Sequence, residues 1–303
     1  MKNIYVLEHF DFTKEQLDRL NALGNVKYYE KANEKDIDEA IMNADAILID
    51  WLDPDTILQK LHKGQFICLP YTGYDWVKNI NLAKDNGVII SNTPNYSTNA
   101  VAEHHLALLL DVAKHITNFN NEYKEKGSTG FNRGFELTGK RVGIIGLGNI
   151  GRRLAELLIP FTNDIVTYNR TKKNIIGIKD VSLEELLTTS DVVCVTCRLN
   201  DNTKNLISTN QFNIMKKGAI LTSTTGQIID FNALDEVLKD DKLFGVGVDD
   251  VDKCYVPKSL LNNSKFVCTY HRAYDTNESE NNRINLCIDS IEAFLNGKPI
   301  NKI

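Results

Sequence analysis

The stretch Arg141-Val-Gly-Ile-Ile-Gly146-Leu-Gly148-Asn149-Ile150-Gly151-Arg-Arg-Leu-Ala155 decides the fold. Its start is a short apolar run rich in β-branched residues, the pattern of a buried strand, and from Arg152 to Leu158 the apolar spacing turns helical. Between them stand three glycines in G-x-G-x-x-G spacing. Gly146 permits a tight turn, Gly148 lets the backbone approach a pyrophosphate, and Gly151 lets helix and strand pack closely, while the helix N-terminus turns N–H groups toward the anion. Three glycines so spaced are a weak signal alone; a strand before and a helix after make them specific. They predict a dinucleotide-binding Rossmann unit starting near Lys140, with Gly146, Gly148, Asn149, Ile150 and Gly151 against an NAD or NADP cofactor.

Working outward, further strands are expected at Ile165 to Tyr168, Val192 to Cys197, Ala219 to Ser223, Phe244 to Val248 and Phe266 to Tyr270, which with the first make the six of a complete dinucleotide domain. Capping-box pairs Ser182/Glu185 and Ser208/Gln211 mark two intervening helices. Upstream, Ile4 to Leu7, Val26 to Tyr29, Ala46 to Ile49, Phe66 to Leu69 and Val88 to Ile90 alternate with helical segments, the first opened by Thr13/Gln16 and closed at Gly24. From Ser97 to Lys126 neither Pro nor Gly interrupts a broad apolar surface, which predicts one long, largely buried helix. A last helix, Glu278 to Leu295, stops before Asn296-Gly297 and Pro299. The fold class is α/β, with two doubly wound parallel-sheet domains.

The 303 residues are 42% hydrophobic, enough for two cores, and 25% charged, with a formal net charge of -5 and no block of about five or six like charges. That balance gives no reason to expect a nucleic-acid partner. The apolar run at the start is too short for a secretory signal and no stretch is long enough to span a membrane, so no membrane partner and a cytoplasmic location are expected. Six cysteines in a chain of this size read as reduced thiols. Cys194-Val-Thr-Cys197 has C-x-x-C spacing, but a strand sends residues three apart to opposite faces and no second pair completes four ligands. His104 and His105 are adjacent on a helix and point about 100° apart, which makes them packing and interface residues. Asp249-Asp250-Val-Asp252 could suggest a divalent ion, yet it directly follows the strand Phe244 to Val248. No metal is expected.

About 20 residues past the glycine loop an NAD-specific domain places a carboxylate for the ribose hydroxyls. Here stand Tyr168-Asn169-Arg170-Thr171-Lys172-Lys173. A neutral Asn169 with Arg170, Thr171 and a nearby Lys172 or Lys173 can receive a 2′-phosphate that an Asp would repel, so NADPH is the expected preference, against the alternative of a solvated basic loop with Asn169 on the ribose.

At this point the chain resembles the D-isomer-specific 2-hydroxyacid dehydrogenases over essentially its full length. The segments that carry the likeness are Tyr71-Thr-Gly-Tyr-Asp-Trp76, Ser91-Asn-Thr-Pro94, Ala100-Val-Ala-Glu-His-His-Leu-Ala-Leu-Leu-Leu110, Leu137 to Gly146, Asn202-Thr-Lys-Asn-Leu-Ile207 and Met215-Lys-Lys-Gly-Ala-Ile220. The resemblance implies a nucleotide domain over 100–272 inserted into a flavodoxin-like substrate domain of 1–99 and 273–303, an active site in the cleft between them, a small-molecule substrate met by Thr72, Gly73 and Tyr74, and a homodimer.

Members of that family use an Arg that grips the substrate, a His that moves the proton, and a Glu that holds the His. In Thr269-Tyr-His271-Arg-Ala273 the histidine is present, with Tyr270 where the family keeps proline. With an ordinary pKa of about 6.5 it suits proton exchange near neutrality. The Arg position is Thr225, in Leu221-Thr-Ser-Thr224-Thr-Gly-Gln-Ile-Ile-Asp230, with Thr224 beside the cofactor. The Glu position is Cys254, and Asp252 is a substitute two residues off; Asp249 keeps the family's place near the nicotinamide. Loss of a bidentate guanidinium disfavours ordinary 2-keto acids. The expected function is an NAD(P)-dependent oxidoreductase that reduces a carbonyl or imine lacking the usual recognition, with His271 as proton donor, Thr225 bonding the substrate, and Arg198 or Arg272 as relocated cations. The alternative is a non-catalytic NAD(P)-binding sensor or scaffold protein.

Overall fold

Alternating strands and helices form two parallel sheets in a computed structural model that describes residues 1–171, 175 and 177–303. The chain divides into two compact units, Met1–Ser97 with Asp275–Ile303, and Thr98–Tyr274.

The first unit runs β1 (Asn3–Val6), α1 (Lys14–Leu23), β2 (Asn25–Tyr28), α2 (Glu34–Asn43), β3 (Ala46–Leu48), α3 (Pro54–Leu58), β4 (Phe66–Leu69), α4 (Ile80–Asp85) and β5 (Ile89–Asn92). All its strand pairs are parallel, in the flavodoxin-like order β2-β1-β3-β4-β5. The central strands read as continuous apolar runs because helices cover both faces. Tyr5, Ile47 and Ile67 meet Ile41, Ile57 and Ile80 on one side, and Ile4, Leu48 and Phe66 meet Ile284, Ile288 and Ile291 of the last helix on the other. Thr13 and Gln16 form the expected capping box, Gln16 N donating to Thr13 Oγ1 at 3.2 Å and Thr13 N to Gln16 Oε1 at 2.9 Å.

The second unit runs α5 (Thr98–Lys114), α6 (Ile116–Lys126), β6 (Val142–Ile145), α7 (Asn149–Leu158), β7 (Ile165–Tyr168), β8 (Lys179–Asp180), α8 (Leu183–Thr189), β9 (Val192–Val195), α9 (Thr209–Ile214), β10 (Ala219–Ser223), α10 (Phe231–Lys239), β11 (Leu243–Val248), α11 (Lys258–Leu261) and β12 (Phe266–Cys268). The last helix, α12 (Asn277–Leu295), returns to the first unit. The sheet order is β12-β11-β10-β9-β6-β7-β8, so the chain winds outward in one direction from β6 and in the other from β9. That reversal is the switch point outside whose carboxyl strand ends a doubly wound sheet holds its ligand. β8 is a short edge strand beyond the six expected from sequence.

The segment 97–126 departs from the expected single helix. It breaks at His115, which has φ 57°, and α6 buries no residue. The apolar spacing fades after Ile116, and the Asp111 carboxylate accepts from Thr117 N at 2.7 Å and Thr117 Oγ1 at 2.5 Å, which stabilises a new helix start in place of continuation.

Candidate active site

The glycine loop joins β6 to α7. Gly146 has φ 97°, and a Cβ there would stand 2.7 Å from the backbone of Cys197, so this turn admits only glycine. A Cβ on Gly151 would collide with the Gly146 carbonyl, whereas one on Gly148 would meet nothing within 4 Å. The residues therefore fit a pyrophosphate: two glycines set the turn, and the third leaves open backbone at the start of α7, where Asn149 and Ile150 occupy the first helical turn. Bound there, a nicotinamide cofactor would supply the hydride.

At the end of β7, Asn169 Oδ1 accepts from Leu147 N at 2.5 Å, and its amide nitrogen donates to Thr167 Oγ1 at 3.1 Å and Asp180 Oδ1 at 3.3 Å. Asn169 thus ties the strand end to the glycine loop, a task the sequence did not disclose. Arg170 and Thr171 beside it are exposed, and Lys172 and Lys173 lie outside the described residues.

The ends of β10, β11 and β12 carry the polar centre. Thr224 and Thr225 are half-buried, and Thr225 N donates to Ser223 Oγ at 3.1 Å. A hydroxyl occupies the position where the resemblance implies a guanidinium. Asp249 is buried at 2% exposure and accepts from Thr269 Oγ1 at 2.6 Å, Arg272 N at 2.9 Å and Ala273 N at 2.8 Å. Its carboxylate serves the 269–273 turn. Within that turn His271 has φ 47°, and its Nδ1 lies 2.8 Å from Asp250 Oδ1. Asp250, also at positive φ, holds the His271 pKa above its ordinary value, chiefly through that hydrogen bond and against the opposing effect of burial.

Asp252 does not take the role offered for it. Its carboxylate accepts from Cys254 N at 2.8 Å and caps a short turn, and Cys254 is exposed. The partner of the histidine is Asp250, which in the sequence is one of a run of acids. Arg198 follows β9 and Arg272 follows His271, and both are exposed. Thr72, Gly73 and Tyr74 belong to the first unit, past the end of β4. There Asn92 Nδ2 donates to the Thr72 carbonyl at 3.0 Å and Thr72 Oγ1 to the Thr93 carbonyl at 3.0 Å, so the loop is fixed by the end of β5.

Neither His104 nor His105 is simply a packing residue. The Thr222 hydroxyl stands 3.4 Å from Cys194 Sγ and 2.7 Å from Nε2 of the buried His105, whose pKa burial pushes down to about 3. His104 reaches Thr269 at 3.0 Å. Burial raises the Cys194 thiol to about 12 and Cys197 to about 11, the opposite of what a thiolate ligand needs. Among the described residues no cluster of three His, Cys, Asp or Glu side chains could hold a metal.

The family model for the D-isomer specific 2-hydroxyacid dehydrogenase NAD binding domain matches residues 106–273. The chain belongs to the D-isomer specific 2-hydroxyacid dehydrogenase family. This family member is 28% identical to a hydroxypyruvate reductase of Blautia hydrogenotrophica over 99% of either chain, and 31% identical to a glyoxylate reductase of Thermococcus litoralis over 86% of this chain and 83% of the relative. Among solved structures, an acyclic imino acid reductase in complex with NADPH and D-Arg superposes with a TM-score of 0.86 at 28% identity, covering 100% of both chains. A glyoxylate reductase from Paecilomyes thermophila superposes at 0.87 with 25% identity, over 100% of this chain and 98% of that one. The dehydrogenase is accordingly an NAD(P)-dependent oxidoreductase that acts on a small molecule. No helix among its described residues is long and apolar enough to cross a membrane.

Proposed function

We propose that this dehydrogenase-family protein reduces the C=N bond of a small imine, with NADPH as the preferred cofactor and His271 as the proton donor. The observation that carries the reading is the His271–Asp250 pair, 2.8 Å apart at the carboxyl end of the nucleotide sheet, with Thr225 where a guanidinium would stand. Reduction of a ketone builds negative charge on oxygen, which a guanidinium stabilises. Protonation of an imine nitrogen builds positive charge, which a guanidinium opposes and a neutral hydroxyl tolerates. Thr225 therefore suits the imine. The full-length likeness to an acyclic imino acid reductase holding NADPH supports the same choice, while the hydroxypyruvate and glyoxylate relatives make the carbonyl the competing substrate.

In this reading His271 donates from Nε2 while Asp250 fixes the ring through Nδ1 and stabilises its protonated form. Gly146, Gly148, Asn149, Ile150 and Gly151 hold the pyrophosphate, Asn169 braces the loop, Arg170 and Thr171 receive the 2′-phosphate, and Thr224 and Asp249 border the nicotinamide side. Thr72, Gly73 and Tyr74, with Arg198 and Arg272, take the substrate's remaining polar groups. The substrate domain is 1–99 with 273–303 and the nucleotide domain 100–272, each boundary within two residues of the edges of the two compact units. A homodimer in the cytoplasm completes the proposal; exposed Ile116, Tyr123 and Phe131 in and after α6 offer apolar surface for a second copy.

The test is oxidation of NADPH and of NADH followed with 2-keto acids alone, with the same acids plus ammonia or amines, and with preformed cyclic imines. Turnover that needs the nitrogen and falls on His271→Ala supports the proposal. Equal rates with keto acids alone would make the protein a carbonyl reductase, and tight cofactor binding with no turnover would return the sensor reading.

A further inference from the structure

A directed chain of hydrogen bonds runs from His104 on α5 into the turn that carries His271. The Asp249 carboxylate accepts a hydrogen bond from the Thr269 hydroxyl at 2.6 Å. That leaves Thr269 Oγ1 only lone pairs to offer, and the hydrogen on the 3.0 Å contact with His104 therefore belongs to His104 Nε2. The same carboxylate accepts the Arg272 N–H, at Oδ1 and Oδ2, and the Ala273 N–H at Oδ2. The turn is thus pinned at 269, 272 and 273, and between those points His271 sits at φ 47°. A non-glycine residue in that region costs about 1 kcal/mol or more and stays there only when its surroundings hold it. The anchor is firm, because α5 packs on β10, β11, β12 and α7.

We infer that His104 is a positioning residue for the proton-transfer histidine: through Thr269 and Asp249 it fixes the turn that presents His271 to Asp250. The inference rests on the reading of His271 as proton donor. His104 touches neither His271 nor the glycine loop in any hydrogen bond described, so its effect passes through the turn. Asp250 raises the His271 pKa, burial opposes it, and Asp249 and Arg272 act more weakly in opposite senses, while the Tyr274 ring stands edge-on 5.2 Å away; a turn released at 269 would loosen the Asp250 contact.

The experiment compares the parent with His104→Leu, which cannot donate, and His104→Gln, whose amide can. Two readouts are taken on the full-length protein: steady-state kinetics, and the titration of His271 by NMR of ring-labelled protein, which needs no substrate. His104→Leu should lower kcat by about 10- to 100-fold, as small misplacements of a reacting group do, with cofactor affinity unchanged. Its His271 midpoint should fall toward the ordinary value, and His104→Gln should restore both. Thr269→Val breaks the same chain while leaving His104 in place, and should reproduce the loss if His104→Leu does not fold. A His271 midpoint and kcat in both Thr269→Val and any folded His104→Leu equal to the parent's would overturn the inference. If His271→Ala leaves turnover intact, the proton-donor reading falls, and the NMR midpoint still decides whether His104 positions the ring.

Discussion

The His271–Asp250 pair sets the pH dependence at the residue scale. A raised pKa keeps the imidazole protonated to higher pH, so reduction should hold at low pH and decline as pH rises through a midpoint above the ordinary 6.5. His271→Ala should lower kcat by about 10²- to 10⁴-fold. Asp250→Asn should move the decline to lower pH and cut kcat by about tenfold or more, because the amide neither stabilises the imidazolium nor dictates its tautomer. Asp252→Asn should leave the pH–rate profile in place, since that carboxylate caps the Cys254 turn. A profile unmoved by Asp250→Asn but displaced by Asp252→Asn would reverse the assignment. Arg170 tests the cofactor choice. A hydrogen-bonded ion pair to a phosphate is worth about 1.5–3 kcal/mol, so Arg170→Ala should weaken NADPH about 10- to 100-fold in a fluorescence titration and leave NADH unchanged. Equal losses for both cofactors would remove the 2′-phosphate contact.

At the scale of elements, three glycines in one loop do different work, and substitution separates them. A Cβ on Gly148 meets open space, so Gly148→Ala should keep the melting temperature of the cofactor-free protein and weaken cofactor binding. Gly151→Ala forces a methyl against the Gly146 carbonyl and Thr196 and should cost about 1–3 kcal/mol of stability even without cofactor. Calorimetry with and without NADPH checks both, and a Gly148→Ala protein that melts early would show the loop to be structural throughout. This element was legible because its signal is local: glycine spacing between a strand and a helix. The two sheets were legible for the same reason, since apolar runs of four or five residues cannot be solvated helices. Asp250 was not legible, because its role depends on a left-handed backbone at 250 and at 271 that no spacing announces. Nor was the task of His104, whose partner is 165 residues away. No Pro or Gly announces the break at His115: a carboxylate four residues earlier, Asp111, acts as the breaker by capturing Thr117.

At the scale of the whole molecule, the first unit is assembled from both ends of the chain, and one buried ion pair marks where they meet. Arg283 of α12 donates from Nη1 to Asp50 Oδ1 at 2.5 Å and from Nη2 to Asp50 Oδ2 at 3.2 Å, with both side chains about nine-tenths buried. Glu280, one turn earlier, accepts from Arg283 Nε at 2.8 Å and from Nη2 at 2.7 Å, so the guanidinium has a second partner. Asp50 follows β3, far from α12 in sequence, and the pair joins N-terminal and C-terminal segments across the face where Ile284, Ile288 and Ile291 cover the sheet. A buried ion pair gains little over a well-packed apolar pair, but breaking one half leaves an uncompensated charge in low dielectric. Arg283→Met should therefore cost about 3–5 kcal/mol in urea unfolding of the cofactor-free protein, and adding Asp50→Leu should recover most of that loss. A single variant that loses less than about 1 kcal/mol would mean that water reaches Asp50 once the arginine is gone, as at an exposed pair. A double variant no better than the single would mean that the pair fixes the docking geometry of α12 as well as its charge, a role hydrophobic replacement cannot supply.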